Sequence, residues 1–247
     1  MSPPVFLAGE ADLGRDRVVL DGPEGRHAAT VKRLRPGERV DLTDGAGLVA
    51  ECVVVAADRA ALTVEVIVRR TDPVPEPRLV AVQALPKGDR GELAVETMTE
   101  AGVDEIVPWA AARCVTQWRP ERRDKALGRW RGAAREAAKQ ARRSRLPEVP
   151  GLASTPEVVR RVAAAVAAGG AGLVLHEGAK DPLSAVAPPS TGEICVVIGP
   201  EGGITDDELA ALTAAGASAV RLGPTVLRTS TAGVAALSVL QAATGRW

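Results

Sequence analysis

The sequence predicts an α/β protein in which a small β-rich part, residues 1–70, precedes a larger domain with a mostly parallel sheet, residues 78–247. In the first part, apolar and polar residues alternate with a period of two, which is typical of half-buried strands. In the second part, short apolar runs alternate with helical patterns, as in parallel sheets covered by helices. Three prolines within residues 71–77 continue neither a sheet nor a helix, so we expect a linker there.

The elements of the first part follow from turn residues and periodicity. Two apolar stretches within Arg39–Val55 flank the turn cluster Asp44–Gly47, which indicates a hairpin. From Leu62 to Arg69 the alternation predicts a further strand. Between Gly25 and Pro36 we expect one short helix with a basic end.

The second part is predicted to alternate strands and helices. Ser154-Thr155-Pro156-Glu157 opens one of the helices with a capping hydroxyl, an early proline and an early acid. Helices are also expected at 89–101 and along the basic segment 119–145. The predicted strands are 78–85, 103–109, 172–176, 193–198 and 219–222.

Composition excludes several classes of protein. Hydrophobic residues make up 46% and charged residues 25% of the 247, which is typical of a soluble globular protein. Cys52, Cys114 and Cys195 are far apart and form no C-x-x-C pair, which argues against a disulfide framework and a zinc site. We find no apolar run near the ~20 residues that span a bilayer and no signal peptide, so we expect a cytoplasmic, metal-free protein without a membrane segment.

Charge is unevenly distributed although the formal net charge is zero. Residues 119–145 contain eleven Lys/Arg and three Asp/Glu, so this segment is strongly basic and the remainder is acidic. Such segregation favours a surface for a polyanion. The alternative is one solvated helix face in an arginine-rich composition. With one Phe and no Tyr, base stacking on aromatic side chains is not expected to be the main mode of nucleic-acid recognition.

A glycine-bearing loop follows the predicted strand 193–198. Residues 199–203 read GPEGG, and Thr205–Glu208 fits a capping box that starts a helix. Loops at the carboxyl ends of parallel strands are where open α/β sheets bind ligands. The loop lacks the spacing of nucleotide-binding motifs, and the acids at the helix start would repel phosphate, so a cationic or zwitterionic ligand fits better. A tight structural turn is the alternative.

A second loop follows the last predicted strand and leads into an apolar helix, Val234–Ala243. Within this loop, Arg228 lies between apolar residues and three hydroxyls. An arginine at such a helix entry indicates a site for a ligand or a reacting group. Alternatively, Arg228 pairs with a nearby carboxylate such as Glu201.

The two loops together, IGPEGG and LGPTVLRTSTAG, resemble the paired motifs of the SPOUT-class RNA methyltransferases. More narrowly they resemble the RsmE family, which methylates N3 of a uridine in small-subunit (16S) ribosomal RNA. The resemblance continues through KGDRGELAVETMTEAGVDEIVPW (87–109), EAAKQARRSRLPEV (136–149) and HAATVKRLRPGERVDLTDGAG (27–47). It covers nearly the whole chain in order.

This resemblance implies a fold and a set of site residues. The first part is then a PUA-like RNA-binding β-barrel, and the second a SPOUT domain with a C-terminal trefoil knot. The family consists of homodimers whose active site is completed at the subunit interface. The knot loops hold S-adenosylmethionine largely through backbone contacts. Carried over to this chain, those contacts involve Leu175, Gly199, Gly203, Leu222, Gly223 and Leu227.

Catalytic and RNA-binding candidates complete the prediction. Arg228 is expected to stabilise the developing uracil anion, and Glu201 to act as base or to hold Arg228 in place. We interpret His176, which ends a strand beside the cofactor loop, as a hydrogen-bonded structural residue. RNA contacts are expected from Arg26, Lys32, Arg33, Arg35, Arg135, Lys139, Gln140, Arg142 and Arg143, with Arg135, Lys139 and Arg142 on one helix face. A face of Trp130, Ala134, Ala137 and Ala141 is expected to be the apolar one.

Two departures from the family pattern leave other functions open. Ser230 stands where the family commonly has Glu, and Thr97–Ala101 replaces a common Lys-Ala-Thr-Glu-Leu. One alternative is a non-catalytic RNA-binding or ribosome-assembly protein of the same fold. The other is a SPOUT methyltransferase acting on another RNA position, such as transfer RNA or a ribose 2′-hydroxyl.

Overall fold

Residues 3–247 are described by a computed structural model and divide into two units. The first unit comprises the chain up to Val74 together with Ala138–Leu146, and the second comprises Pro75–Ala137 and Pro147–Trp247. From the sequence, residues 138–146 are expected in the second domain. This segment packs with the first unit because Thr43 Oγ1 donates to Ser144 O at 3.0 Å. The backbone N–H of Leu146 also donates to Gly45 O at 2.9 Å.

Five strands form the sheet of the first unit. They are β1 (Val5–Leu7), β2 (Arg17–Leu20), β3 (Arg39–Thr43), β4 (Leu48–Ala57) and β5 (Leu62–Thr71), in the order β1-β3-β4-β5-β2. β1 runs parallel to β3 and the other pairs are antiparallel. The helical segments are α1 (Glu10–Leu13), α2 (Gly22–Arg26) and a π-helical turn, His27–Val31. The predicted hairpin and the predicted strand are confirmed.

One face of this sheet forms the core of the first unit. On β4, Cys52 and Val54 are fully buried, and on β5 so are Leu62 and Val64, at every second position. Phe6 from β1 joins the same cluster. The period-two pattern in the sequence therefore reports a real difference between the two faces of the sheet.

The second unit contains a six-stranded parallel sheet, which confirms the predicted mostly parallel arrangement; its two-residue strand at 153–154 was not predicted. Its strands are β6 (Arg78–Ala84), β7 (Glu105–Ala110), β8 (Ala153–Ser154), β9 (Ala171–Leu175), β10 (Glu193–Ile198) and β11 (Ser218–Val220), in the order β11-β9-β10-β6-β7-β8. Its helices are α3 (Arg90–Glu100), α4 (Pro120–Gln140), α5 (Thr155–Ala167), α6 (Asp206–Ala214) and α7 (Thr229–Ala243).

Helices cover both faces of the parallel sheet. Leu79 and Ala81 of β6 point into a core shared with α3, α4 and α7. Val80 and Val82 point into the opposite core, shared with α5 and α6. Because both faces are buried, the strands read as continuous apolar runs rather than as alternating ones.

The basic helix α4 is shorter than predicted. It ends at Gln140, and Arg142 adopts a left-handed backbone with φ of +56°. The prediction that Arg142 shares a helix face with Arg135 and Lys139 is therefore wrong, since that conformation cannot continue a right-handed helix. The Lys139 side chain is 6% exposed, and its Nζ donates to Glu24 Oε1 at 2.8 Å.

The apolar side of α4 is largely as predicted. Trp130, Ala134 and Ala137 are buried at helical spacing, and Trp130 packs edge-on against Trp118. Ala141 lies beyond the end of the helix and is exposed, so its assignment to this seam is wrong.

A buried ion network joins the amino ends of three neighbouring strands. Arg161 of α5 binds both Glu105 and Glu193 through pairs of hydrogen bonds, including Nη2 to Glu105 Oε2 at 2.8 Å and Nη2 to Glu193 Oε2 at 2.9 Å. Arg78 adds Nη2 to Glu105 Oε2 at 2.8 Å. Burial raises the pKa of Glu193, but hydrogen bonds from Arg161 and Cys195 lower it below its ordinary value.

Within residues 3–247, no helix is long and apolar enough to cross a membrane. In the same described range, no three His, Cys, Asp or Glu side chains are grouped so that they could hold a metal ion.

Candidate functional site

A cavity of about 620 Å³ lies at the carboxyl ends of β9, β10 and β11. The loops that follow these strands line it, so residues far apart in sequence meet there. The cavity brings together every predicted cofactor-binding and catalytic residue, namely Leu175, Gly199, Glu201, Gly203, Leu222, Gly223, Leu227 and Arg228. Its position matches the rule that open α/β sheets bind ligands beyond the carboxyl ends of their strands.

Packing within the protein explains the glycines of the 199–203 loop. Gly203 has φ of +74°, a conformation that favours glycine. A Cβ at Gly202 would lie 2.9 Å from Arg113 Cβ and 3.0 Å from Arg113 O. The Arg113 guanidinium also donates from Nη1 to Gly202 O at 3.3 Å. Arg113 thus holds this loop and lines the cavity, and no motif in the sequence indicated it.

Glu201 and Arg228 do not pair with each other. The Lys87 N–H donates to Glu201 Oε1 at 3.1 Å, and Arg90 Nη1 lies 3.8 Å from the same oxygen. The exposed Arg228 side chain forms no ion pair with any of residues 3–247. The structure therefore contradicts the alternative that Glu201 pairs with Arg228.

A buried chain of hydrogen bonds supports the cavity from below. Gln83, at the end of β6, donates from Nε2 to Thr229 Oγ1 at 3.0 Å. Thr229, the first residue of α7, donates in turn to Gly199 O at 2.6 Å. These contacts connect the β10 loop to the start of the helix that follows Arg228. The sequence motifs show Thr229 only as one of three hydroxyls beside Arg228 and do not indicate Gln83; a lone polar residue within a buried strand is the signal that could have found it.

The predicted capping box at α6 is confirmed. Through it Glu208, one of the acids at the helix start, binds backbone N–H groups and does not line the cavity. Glu208 Oε2 accepts from the Thr205 N–H at 3.1 Å, and Glu208 Oε1 accepts from the Ala112 N–H at 2.8 Å. Burial raises the pKa of Glu208, and these hydrogen bonds more than offset it, so the pKa lies below its usual value. Glu208 is thus a structural carboxylate that faces the protein.

The charges that line the cavity are balanced. Three acids and three arginines contribute to it: Glu177, Glu201, Asp206, Arg113, Arg221 and Arg228. The volume falls within the range of roughly 300–1,000 Å³ that is usual for small-molecule sites. This arrangement suits a zwitterionic or cationic ligand better than a polyphosphate.

Comparison with known proteins decides the family. A model of the RNA methyltransferase domain matches residues 74–241, and a model of the RNA methyltransferase PUA domain matches residues 20–67. The chain is 55% identical to ribosomal RNA small subunit methyltransferase E of Mycobacterium bovis, over 93% of this chain and 87% of the relative. It belongs to the family of ribosomal RNA small subunit methyltransferase E.

More distant relatives are similar along nearly the whole chain. The enzyme of Bacillus subtilis is 29% identical over 90% of this chain and 88% of its own. The crystal structure of the Neisseria gonorrhoeae enzyme bound to S-adenosyl methionine has a TM-score of 0.84 with 27% identity, and covers 98% of both chains. The expected PUA-like first domain and the SPOUT-type second domain are thereby confirmed.

The surroundings of His176 are those of a structural residue. The Gly178 N–H donates to His176 Nδ1 at 3.1 Å, and the His176 N–H donates to Val220 O at 2.9 Å. The ring therefore tightens the turn after β9 at the wall of the cavity.

Most of the predicted RNA-contact residues lie in the first unit. Arg26, Lys32, Arg33, Arg35, Gln140 and Arg142 are exposed there, Arg143 is half-buried and Lys139 is buried, whereas the exposed Arg135 lies in the second unit. Lys32, Lys139, Gln140 and Arg142 line a second cavity, of about 210 Å³. The structure thus brings together four residues from two distant segments.

Proposed function

We propose that this protein transfers a methyl group from S-adenosylmethionine to N3 of a specific uridine in small-subunit (16S) ribosomal RNA. The observation that carries the proposal is the convergence of three loops on one cavity, in a chain 55% identical to a ribosomal RNA small subunit methyltransferase. The bound S-adenosyl methionine in the Neisseria relative supports the choice of methyl donor.

The residues of the cavity fit S-adenosylmethionine. This cofactor supplies an electrophilic methyl group on a cationic sulfonium, and it also carries an amino and a carboxylate group. The acids Glu177, Glu201 and Asp206 suit its positive charges, and the arginines of the lining suit its carboxylate. Leu175, Gly199, Gly203, Leu222, Gly223 and Leu227 are the residues we propose to hold it.

We assign Arg228 the role of acting on the nucleobase. N3 of uracil bears an imide proton, and the base becomes anionic when that proton leaves. A guanidinium without a carboxylate partner is free to stabilise this charge, and Arg228 is exposed at the cavity. A neutralised arginine would have less charge to offer.

Glu201 has two possible roles that predict different results. As a general base it would take the N3 proton, and Glu201→Gln would abolish turnover at every pH. As a positioning residue it holds the 199–203 loop to Lys87 and Arg90, so Glu201→Gln would weaken cofactor binding and retain turnover. Its contacts favour the second role.

The proposal extends to the assembly and topology that the family implies. We propose a homodimer in the cytoplasm, with the active site completed by the second copy, and a trefoil knot in the C-terminal segment. We further propose that residues 1–70 and 78–247 are the functional domains, joined by the linker 71–77. Light scattering should give the molar mass of two chains if the protein is a homodimer.

Mass mapping of ribosomal RNA nucleosides tests the reaction directly. Cells lacking this gene should lose one 3-methyluridine from small-subunit RNA, and the purified protein with S-adenosylmethionine should restore it. Unchanged nucleosides would refute the proposal. Loss of a modified ribose or of a transfer-RNA methyl group would establish the second alternative, and calorimetry that shows no cofactor binding would establish the non-catalytic one.

A further inference from the structure

The 210 Å³ cavity is lined entirely by residues of the first unit. It lies where the π-helical turn and α4 both end, and its lining includes Phe6, His27, Lys32, Lys139, Gln140 and Arg142. It shares no lining residue with the cavity that we assign to the methyl donor. It therefore needs an explanation of its own.

Two arginines beside this cavity have a backbone conformation that favours glycine. Within residues 3–247, the non-glycine residues with positive φ are Arg33, at +53°, and Arg142, at +56°. Arg142 lines the cavity, and Arg33 directly follows Lys32, which also lines it. Positions just after a helix end commonly carry glycine because it adopts this conformation without strain. An arginine at such a position costs backbone free energy, which favours a role for its side chain.

The charges around the cavity leave an excess of positive charge. Lys139 is buried and donates to Glu24, so its charge is compensated inside the unit. Lys32 and Arg142 are exposed. The nearby carboxyl of Asp41 has its pKa raised by burial, and Arg142 is among the cations that act against that rise. Two exposed cations in the lining of a small cavity suit an anionic group.

We propose that this cavity binds a phosphodiester group of the RNA substrate, with Lys32 and Arg142 as its cationic contacts. The inference rests on the proposed function, because it assumes that the substrate is RNA. A volume of 210 Å³ is below the ~300 Å³ at which small-molecule sites begin, which favours one anionic group over a whole nucleotide. Contacts of this kind set the position of the RNA without reading its sequence.

The variant Arg142→Gly separates binding from folding. Glycine adopts φ of +56° readily, so the variant should unfold at the same denaturant concentration as the wild type or higher. Its affinity for RNA should fall by about tenfold, which corresponds to roughly 1.4 kcal/mol and is near the lower bound for a hydrogen bond to a charged group. Lys32→Ala should behave alike. Arg17→Ala removes an exposed arginine from β2 of the same unit and is the matched control.

The measurement is filter binding to 16S ribosomal RNA, both as a naked transcript and within small subunits from cells lacking this gene, across a range of salt concentrations. We expect the slope of log affinity against log salt to fall by about 0.7–0.9 in Arg142→Gly and to stay unchanged in Arg17→Ala. Wild-type affinity in both cavity variants, or weaker binding with an unchanged salt slope, would overturn the phosphate site.

Parallel assays of the wild type distinguish this failure from failure of the proposed function. If the wild type methylates the RNA while Arg142→Gly and Lys32→Ala bind RNA normally, the cavity proposal alone is wrong. If the wild type neither binds nor methylates either form of the RNA, both proposals fall. Calorimetry with S-adenosylmethionine should give the same affinity for Arg142→Gly and wild type, because the donor cavity lies in the other unit.

Discussion

Gln83 Nε2 donates to Thr229 Oγ1 at 3.0 Å, which ties the end of β6 to the first turn of α7. Both side chains are buried, and the Thr229 hydroxyl donates a hydrogen bond to Gly199 O. Arg228 immediately precedes Thr229 and is the N-cap residue of α7. The position of the proposed catalytic arginine therefore depends on a polar chain inside the protein.

Thr229→Val should destabilise the second unit and displace Arg228. The substitution keeps the side-chain shape but leaves Gly199 O without its donor, at a cost of roughly 1–3 kcal/mol. Urea unfolding should show this loss, and methyl transfer should fall with it. Thr229→Ser keeps the hydroxyl and should retain both properties; a serine variant as impaired as the valine variant would argue against the hydrogen bonds.

Arg228→Ala should abolish methyl transfer while leaving cofactor affinity nearly unchanged. Removing one charge-stabilising donor typically lowers kcat by about 10²–10³. Because the Arg228 side chain is exposed and forms no ion pair with residues 3–247, the unfolding midpoint should stay at the wild-type value. Turnover and calorimetry measured on one preparation check both statements. Retained turnover would remove Arg228 from the mechanism.

Gly202→Ala should weaken cofactor binding by moving the 199–203 loop. The new Cβ would meet Arg113 Cβ and backbone O at or below 3.0 Å, and backbone atoms cannot move aside cheaply. Gly132→Ala, an open position in α4, is the control and should be neutral or stabilising by up to ~1 kcal/mol. Calorimetry should show weaker binding for Gly202→Ala and none of that loss for Gly132→Ala. Equal affinities would mean that the loop tolerates the side chain.

Arg161→Met should destabilise the protein by about 3 kcal/mol at neutral pH, because it leaves the buried Glu105 and the half-buried Glu193 with fewer partners. Arg78 still binds both carboxylates, so we expect the loss of stability at the low end of the roughly 3–5 kcal/mol that breaking a buried ion pair costs. The network lies at the amino ends of the strands, away from the donor cavity. Turnover by the folded variant should therefore match the wild type, and a lower kcat would show that the network also shapes the site.

The same network sets the response to acid. The folded-state pKa of Glu193 lies below its ordinary value of 4.5, so its contribution to stability is present above that pH. It is lost as pH falls through 4.5 toward the folded-state pKa. Wild-type stability, measured by urea unfolding from pH 7 downward, should decline in this window. The decline should be shallower in Arg161→Met, where the carboxylates lose their main partner.

Sequence patterns predicted the elements well wherever burial is one-sided or complete. The hairpin around Asp44–Gly47, the apolar runs of β9 and β10 and the capping box at Thr205 all appear as predicted. The end of α4 was missed because Arg142 leaves the helix with no glycine or proline to mark the place. Similarly, the pairing of Lys139 with Glu24 joins positions 115 residues apart, which local periodicity does not report.

By itself, the sequence determined the strand and helix pattern, the parallel sheet and, through the two motif-bearing loops, the family. Each of these depends on residues close together along the chain. The tertiary structure alone decided which groups come together: Gln83 with Thr229, Arg113 with the backbone of Gly202, and Lys32 and Arg142 in the lining of one cavity. The reason is physical. Burial and hydrogen bonding depend on distance in space, and one sequence records only distance along the chain.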